Sequence, residues 1–454
     1  MNVHFIAIGG SVMHQLAIAL KNKGYTVTGS DDEIFEPAKA NLEREGLLPD
    51  RVGWYPEKIH AGLDAIILGM HARSDNPELL RSQDFQLKIY SFPAYIYEES
   101  KQKTRVIVGG SHGKTTTTSM IMHVLKRLGK QFDYLVGAKV EGFSQSVNIT
   151  DAPLIVCEGD EYPASTLERR PKFHFFFPQI AIITGIAWDH INVFPTFELY
   201  LWQFAEFIRK IEPGGILIYN ETDPQLRELV AGQEGVRKTG YGIPEHWVEE
   251  GTTWIRLQGA TGKLKVFGNH NLLNLHAAYL ACAELGIQAA DFLEAMESFT
   301  GASKRLELLA GSESCRVYRD FAHAPSKVKA AMEAVKQQFP SKKLIALIEL
   351  HTYSSLNSDF LQQYHGVAAA ADQVAVYYSN HALELKKMPP LSKEQVANGF
   401  AKAGLEVINN RHDLEKWLEQ QNYSGSNLLL MSSGNFDGLD VSTFAEKITT
   451  NGGD

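Results

Sequence analysis

The fold of this chain is decided by the stretch Gly110-Ser111-His112-Gly113-Lys114-Thr115-Thr116-Thr117. A short β-branched run precedes it, Arg105-Val106-Ile107-Val108, and apolar residues at helical spacing follow it until Gly129. In such a loop, backbone N–H groups at a helix N-terminus point at phosphate oxygens, Lys114 adds a positive charge and Thr115 offers a hydroxyl to Mg²⁺. The stretch therefore predicts a site for a nucleoside triphosphate.

The spacing of this loop differs from that of the common phosphate loop. Gly109 or Gly110 precedes Gly113 by fewer residues than the pattern G-x-x-x-x-G-K-[ST] requires. A plain strand-to-helix connection is the alternative interpretation. The run Gly-Lys-Thr-Thr at this joint favours phosphate binding.

Length and composition limit the class of protein. A chain of 454 residues with 44% hydrophobic and 21% charged residues predicts about three soluble globular domains. The net charge of −9 argues against nucleic acid or an anionic membrane as the main partner. Three cysteines without Cys-x-x-Cys spacing, an N-terminus that enters a strand directly, and apolar runs too short for a membrane helix lead us to expect a cytoplasmic protein.

The N-terminal segment has the pattern of a Rossmann-type unit. We predict a strand from Val3 to Ile8, a Gly9-Gly10-Ser11 loop, a helix from Met13 to Lys23 and a second strand that ends near Asp31 and Asp32. The loop lacks the third glycine of G-x-G-x-x-G, so a nucleotide diphosphate is as plausible a ligand as NAD. A β-α-β unit that binds nothing is the other alternative.

A third unit begins near Lys304, and the charged residues 98–103 look like a linker or an exposed helix end before the second. For the third unit we predict a helix from Pro325 to about Gln338 and a mostly parallel sheet of strands at 315–320, 344–348, 373–377 and 428–431. The predicted fold is α/β with three domains. They are a Rossmann-like domain at 1–104, a P-loop ATPase-type parallel sheet at 105–303 and a second Rossmann-like domain at 304–454.

Acidic residues and a histidine follow two predicted strands of the central unit. Glu158 follows the strand 154–157, and Asp189-His190 come after the strand 180–183. If both strands neighbour the phosphate-loop strand, Glu158 and His190 face the γ-phosphate, where each is a reasonable Mg²⁺ ligand. A solvated acidic turn and a helix cap are the alternatives.

Polar residues farther along the chain suggest nucleotide contacts. Asn271 precedes a helix predicted from His276 to Leu285, and its amide matches the donor and acceptor of an adenine edge, although a helix cap is the alternative. Arg305 is a candidate for stabilising phosphate charge, and a surface arginine beside Lys304 is the alternative. His323, in the run Asp320-Phe321-Ala322-His323, lies where a strand ends and a helix starts, so ligand binding and helix capping both remain open.

Specific motifs stand in one order along the chain: Gly110–Thr116, Glu158-Gly159-Asp160-Glu161, Asp189-His190, Gly268–Asn274, Lys304-Arg305 and Asp320–His323. Together they resemble the Mur ligases, the ATP-dependent amide ligases of peptidoglycan precursor synthesis. The resemblance implies ATP and Mg²⁺ as cofactors, and UDP-N-acetylmuramate with an amino acid or peptide amine as substrates. We expect a monomer or weak dimer without nucleic-acid or membrane partners.

The resemblance also implies roles for individual residues. ATP would be bound by Gly110, Ser111, His112, Gly113, Lys114, Thr115, Thr116, Asn271, Arg305 and Asp320. Lys114, Glu158 and His190 would be catalytic, and Mg²⁺ would be held by Thr115, Glu158 and His190. Substrate would be bound by Gly9, Gly10, Ser11, Asp31 and His323. The C-terminal domain would close on ATP and bind the amine.

Within the family, three segments most resemble the branch that recycles a murein tripeptide onto UDP-N-acetylmuramate: residues 160–162, 169–173 and 431–438. The branch that adds L-alanine to the same sugar is next. In both, the muramate carboxylate is expected to form an acyl phosphate that an amine captures, with ADP and phosphate as products. We expect amine specificity in Thr352–Asn357 and Asn435–Asp440.

Some positions depart from the family pattern. Gly185 and Ala187 stand where relatives often carry Asn and Glu, and Ala205 stands where several carry a carbamylated lysine. Thr352 and Ser355 stand where siblings often place arginine. These departures concern the metal surroundings and the amine contacts more than the ATP site.

Other classes of protein share parts of this pattern. A P-loop ATPase or small-molecule kinase would use Lys114 without forming an amide, and a silent regulator would bind the nucleotide sugar without turnover. A dehydrogenase would bind NAD(P) at the N-terminal loop.

Overall fold

A computed structural model describes residues 1–165, 167–188, 193–301 and 305–450. The predicted site residues Asp189 and His190, and Lys304, lie outside these ranges. The chain divides into two compact units, Met1–Ile243 with Leu273–Met296, and Pro244–Leu272 with Glu297–Asp454. Two largely parallel sheets belong to the first unit and one to the second. The predicted α/β class with three such sheets is confirmed, while the exact domain limits stay predictions.

The N-terminal sheet has four parallel strands in the order β2-β1-β3-β4. Its strands are β1 (Asn2–Ile6), β2 (Thr26–Ser30), β3 (Ala65–Leu68) and β4 (Ile89–Ser91), with helices α1 (Met13–Asn22), α2 (Ala38–Arg44), α3 (Pro77–Asp84) and α4 (Phe92–Ser100). The predicted extension of β1 to Ile8 is wrong. Ala7 has a φ of 67°, and the N–H groups of Ala7 and Ile8 both turn to the Ser30 carbonyl.

The central sheet has seven strands in the order β11-β10-β9-β5-β8-β6-β7, parallel except for the β6–β7 pair. Its strands are β5 (Thr104–Gly109), β6 (Asp133–Leu135), β7 (Val147–Asn148), β8 (Leu154–Glu158), β9 (Ile180–Ile183), β10 (Ile216–Asn220) and β11 (Arg237–Tyr241). The helices between them are α5 (Lys114–Arg127), α6 (Phe197–Arg209) and α7 (Pro224–Ala231). Buried apolar residues line both faces of these strands, as is typical of parallel sheets.

A small antiparallel sheet and two helices follow, namely β12 (Glu245–Glu249), β13 (Thr252–Leu257), β14 (Ala260–Leu264), α8 (Asn269–Glu284) and α9 (Ala289–Met296). The predicted start of α8 at His276 is wrong. Gly268 has a φ of 87°, and its carbonyl accepts the N–H groups of Asn271 and Leu272. The helix therefore begins at Asn269, directly after this glycine. The polar run 269–274 is therefore part of the helix.

The C-terminal sheet has the order β15-β16-β20-β17-β18-β19, with only the β15–β16 pair antiparallel. Its strands are β15 (Glu307–Gly311), β16 (Cys315–Asp320), β17 (Lys343–Leu350), β18 (Gln373–Tyr378), β19 (Glu406–Ile408) and β20 (Ser426–Met431). Its helices are α10 (Pro325–Gln338), α11 (Asn380–Leu385), α12 (Lys393–Phe400), α13 (Arg411–Glu419) and α14 (Val441–Thr450). The predicted strands and the helix from Pro325 are confirmed.

The charged residues 98–103 before β5 were expected to form a linker or an exposed helix end, but part of this stretch is buried. Lys103 is buried and pairs with Asp133. Arg105 is also buried, and its guanidinium donates to the carbonyl oxygens of Ser100, Lys101, Lys103 and Phe177 and to Glu212. One side chain therefore fixes the start of β5 to the end of α4.

No helix in the described part of the chain is both long enough and apolar enough to cross a membrane.

Replacing Arg105 with methionine should destabilise the central sheet. The change leaves buried carbonyl groups without a donor, which predicts a loss of about 3 kcal/mol in the free energy of opening β5. Hydrogen exchange of the amides at 104–109 measures this free energy. In the control Arg209→Met, the side chain is largely exposed and pairs with Glu206 at the surface, so a change within about 0.5 kcal/mol is expected. Unchanged exchange in Arg105→Met would contradict the prediction.

Candidate active site

The phosphate-type loop follows β5, which lies between β8 and β9. The chain order of the strands reverses at this point of the sheet, and ligands of open α/β sheets bind at such positions. Two glycines allow the loop to fold tightly. A Cβ at Gly110 (φ 129°) would lie 2.2 Å from Thr184 Oγ1, and one at Gly113 (φ 79°) would lie 2.2 Å from Asn274 Oδ1. Any other residue at these positions would force its neighbours to shift and would take a φ that L side chains rarely adopt.

Lys114, the first residue of α5, lies in a cluster of carboxylates. Its Nζ donates to Glu161 Oε2 and to the Gly110 carbonyl oxygen, at 2.6 Å each. Burial alone would lower the pKa of Lys114, but the charges of Glu161, Asp160 and Glu158 outweigh it and raise the pKa. The lysine is therefore held as a cation at the start of the helix.

Tyr200, on α6, connects Glu161 to the loop. Its hydroxyl donates to Glu161 Oε1 at 3.3 Å and lies 2.9 Å from Ser111 Oγ. Glu161 and Tyr200 are both almost fully buried, which strengthens these contacts because water cannot compete for them. Ser111, a predicted ATP ligand, thus has its side chain engaged within the protein.

The segment after β9 is held to the loop by its backbone. The Gly185 carbonyl accepts the Ser111 N–H at 3.0 Å, and the Ala187 N–H donates to Ser111 Oγ at 2.8 Å. The Ile186 N–H donates to Asp223 Oδ2 at 2.6 Å. Backbone groups need no particular side chain, so Gly185 and Ala187 are compatible with an ordered segment here.

Thr115 and Glu158 form the oxygen-rich part of the site. Thr115 Oγ1 donates to Glu158 Oε1 at 2.8 Å, and the Gly137 N–H donates to Glu158 Oε2 at 2.8 Å. In the described residues no group of three or more His, Cys, Asp and Glu could hold a metal by itself. Mg²⁺ in nucleotide sites takes few protein ligands and completes its shell with phosphates and water, so this hydroxyl–carboxylate pair fits it.

Three further residues that the sequence predicts to bind ATP are His112, Thr116 and Asn271. The His112 ring donates its Nδ1–H to the Ser111 carbonyl oxygen at 2.8 Å, and Thr116 is buried on α5. Asn271 lies in the other compact unit, in the first turn of α8, where its amide donates to the Phe267 carbonyl at 3.0 Å. An adenine contact of Asn271 stays a prediction.

The N-terminal loop contains Gly9, Gly10, Ser11 and Asp31. Asp31 Oδ2 accepts the Gly9 N–H at 2.6 Å, so this carboxylate orders the loop directly. Burial raises the pKa of Asp31 to about 6, with a smaller contribution from neighbouring Asp32, although hydrogen bonds from the backbone oppose the rise. Ser11 is exposed, while the Gly10 carbonyl accepts the His14 N–H.

Arg305, Asp320 and His323 lie in the second unit. Asp320 is buried and accepts the N–H groups of Leu306 and Ala322 at 2.6 Å each. Burial raises its pKa, against the charge of Arg305. The Arg305 guanidinium lies 5.1 Å from the centre of the Phe321 ring. The His323 ring nitrogen Nδ1 lies 2.9 Å from the Phe321 carbonyl oxygen.

The structure brings Lys114, Thr115 and Glu158 together, while their roles toward ATP and Mg²⁺ stay predictions. It adds Glu161 and Tyr200, whose roles the sequence did not reveal. Glu161 stands in the acidic motif and could have been considered there as a partner for Lys114. Tyr200 shares a helix face with Phe204 and Phe207, so its spacing indicates only a buried core position.

Comparisons with known proteins agree with this architecture. Models of the Mur ligase family match residues 2–104 (catalytic domain), 108–282 (middle domain) and 304–434 (glutamate ligase domain). A UDP-N-acetylmuramate–L-alanine ligase of Mycobacterium marinum is 30% identical over 402 residues, which cover 82% of this chain and 80% of that protein.

Two further proteins are similar over most of their length. A UDP-N-acetylmuramate–L-alanyl-γ-D-glutamyl-meso-2,6-diaminoheptandioate ligase of Haemophilus influenzae is 28% identical over 361 residues, which cover 77% of this chain and 79% of that one. The structure of a UDP-N-acetylmuramate–alanine ligase of Thermotoga maritima superposes with a TM-score of 0.69 at 22% identity and covers 99% of this chain and 98% of its own. By these matches, the chain belongs to the Mur ligase family of ATP-dependent amide ligases.

Proposed function

We propose that this chain joins UDP-N-acetylmuramate to the tripeptide L-Ala-γ-D-Glu-meso-diaminopimelate, with ATP converted to ADP and phosphate, as a step of peptidoglycan recycling. The observation that carries the phosphoryl-transfer part is the cluster of Lys114, Thr115, Glu158 and Glu161 at the ends of β5 and β8. The choice of tripeptide rests on the motifs at 160–162, 169–173 and 431–438, and on the similarity to the Haemophilus influenzae ligase.

In the proposed reaction, a carboxylate oxygen of the muramate attacks the γ-phosphorus and ADP leaves. Phosphoryl transfer depends mainly on positioning and charge stabilisation. Lys114 supplies a fixed positive charge because Glu161 and the Gly110 carbonyl hold its ammonium in one place. The N–H groups at the start of α5 add a second, non-ionic attraction for the phosphates.

In the second half of the reaction, the neutral amine attacks the acyl carbon and phosphate leaves, while the nitrogen loses a proton. Mg²⁺, when bound at Thr115, Glu158 and His190, would neutralise charge on the phosphates. Gly9, Gly10, Ser11 and Asp31 would bind the UDP part of the sugar. Arg305, Asp320 and Asn271 would contact ATP.

L-Alanine is the alternative amine. The Mycobacterium marinum relative is named for it and is slightly more similar to this chain than the Haemophilus influenzae ligase. Both reactions use the same sugar and release the same products, so the residues around Lys114 do not separate them.

The function is tested by phosphate release from ATP in the presence of UDP-N-acetylmuramate, with either the tripeptide or L-alanine as the amine. We expect release that depends on both the sugar and the tripeptide. Release that depends on L-alanine would assign the chain to the alternative reaction. Silence with both amines would contradict ligase activity and favour a regulator that binds the sugar.

Replacing Lys114 with alanine should lower the rate of phosphate release by about 10²–10³, since one preorganised charge at the transferring phosphate is lost. The matched control is Lys126→Ala, which removes an exposed lysine near the other end of the same helix and should leave the rate unchanged. Equal rates for both variants would contradict a role of Lys114 in phosphoryl transfer.

Replacing Glu161 with glutamine should change the pH dependence of the reaction. Burial lowers the pKa of Lys114 and Glu161 is the largest influence that raises it, so the variant lysine loses its proton at lower pH. We therefore expect the alkaline limb of the pH–rate profile to move to lower pH, with less effect near neutrality. Glu206→Gln, which removes a surface carboxylate on α6, should leave the limb in place. An unmoved limb in Glu161→Gln would show that this carboxylate does not set the charge of Lys114.

A further inference from the structure

Glu349 is a buried carboxylate near the carboxyl end of β17, in the second unit. Its side chain is only 2% exposed. Oε2 accepts hydrogen bonds from Ser432 Oγ and, at 2.9 Å, from the Phe436 N–H. The carboxylate thus anchors the loop 432–438 that follows β20.

Among the residues that the structure describes, none gives the other oxygen of Glu349 a comparable hydrogen bond. His351 Nδ1 lies 3.9 Å from Oε1, which is too long for a hydrogen bond. No lysine or arginine of the described residues forms an ion pair with Glu349. A buried carboxylate without a nearby cation is costly, so the site suits a ligand that brings positive charge.

The loop 432–438 and the segment that follows β17 meet at this carboxylate, beside the two ranges in which we expect amine specificity. A Cβ at Gly434 would lie 2.8 Å from Glu349 Oε2 and 2.8 Å from His351 Nδ1, so the loops approach this closely only with glycine. Ser433 Oγ, in the same loop, is buried and has no hydrogen-bond partner in the described part of the chain. Polar atoms without partners are rare in folded proteins and often mark a place that a ligand completes.

The hydroxyl groups of Thr352 and Ser355, in the loop after β17, hydrogen-bond to each other. Thr352 Oγ1 lies 2.9 Å from Ser355 Oγ and accepts the Ser355 N–H at 3.1 Å. These two residues close their own turn. Besides Glu349 and His351, the loop 432–438 carries Asp437, whose Oδ2 accepts the Tyr377 hydroxyl at 3.3 Å.

We propose that Glu349 binds a non-reacting ammonium group of the amine substrate, an inference that rests on the proposed ligase function. The amine that attacks the acyl phosphate must be neutral, and a carboxylate beside it would stabilise its unreactive ammonium form. The group that gains from Glu349 is therefore a second ammonium. The tripeptide carries one at the far end of its diaminopimelate, whereas L-alanine has none. Glu349 would thus favour the tripeptide.

The test compares the tripeptide with the same peptide acetylated on its distal amine, in the wild-type chain and in Glu349→Gln. Glutamine keeps an acceptor for Ser432 and Phe436 but removes the charge. We expect KM for the tripeptide to rise roughly tenfold to a hundredfold in the variant, as for loss of a charged hydrogen bond. KM for the acetylated peptide, ATP and UDP-N-acetylmuramate should stay unchanged.

Ser432→Ala is the matched control, because it removes one anchor of the loop and keeps the carboxylate. It should affect both peptides equally and retain the preference for the free ammonium. The inference is overturned if Glu349→Gln raises KM equally for both peptides, which is the result expected of a structural anchor, or if it changes neither. A wild-type chain that is inactive with the tripeptide would overturn the proposed function itself.

Discussion

The buried contact between Lys114 and Glu161 is the interaction on which the central site depends. A lysine ammonium removed from water is unfavourable unless a carboxylate lies beside it, and here the pair is separated by 2.6 Å. Tyr200 fixes the second oxygen of Glu161 and contacts Ser111 in the loop. Removing any member leaves polar groups buried without partners, so the loop, the acidic segment after β8 and helix α6 are ordered together.

In the second unit, the buried carboxylates Asp320 and Glu349 differ in how their negative charge is compensated. Asp320 accepts two backbone N–H groups and lies near Arg305, so dipoles and a cation both compensate its charge. Glu349 accepts two hydrogen bonds on one oxygen but has no lysine or arginine partner in the described part of the chain. We therefore interpret Asp320 as a structural carboxylate and Glu349 as one suited to bind a cationic ligand.

Departures from the family pattern become understandable from the contacts of these positions. Gly185 and Ala187 use their carbonyl and N–H groups to hold the segment after β9 to Ser111, so the loss of larger side chains does not release it. Ala205 is buried on α6. Thr352 and Ser355, at the positions that the sequence analysis singled out, hydrogen-bond to each other and close their own turn.

The sequence by itself determined the phosphate-type loop, the alternation of strands and helices, and the acidic residues at strand ends, because turn chemistry and apolar periodicity are local properties. The predicted start of α8 was too late. The helix begins after Gly268, whose positive φ is a backbone property that the spacing of apolar residues does not show. Only the tertiary structure decided which residues meet. The neighbours of β5 are set by long-range packing, and this brings Glu161 and Tyr200 to Lys114 although nothing in the local pattern pairs them.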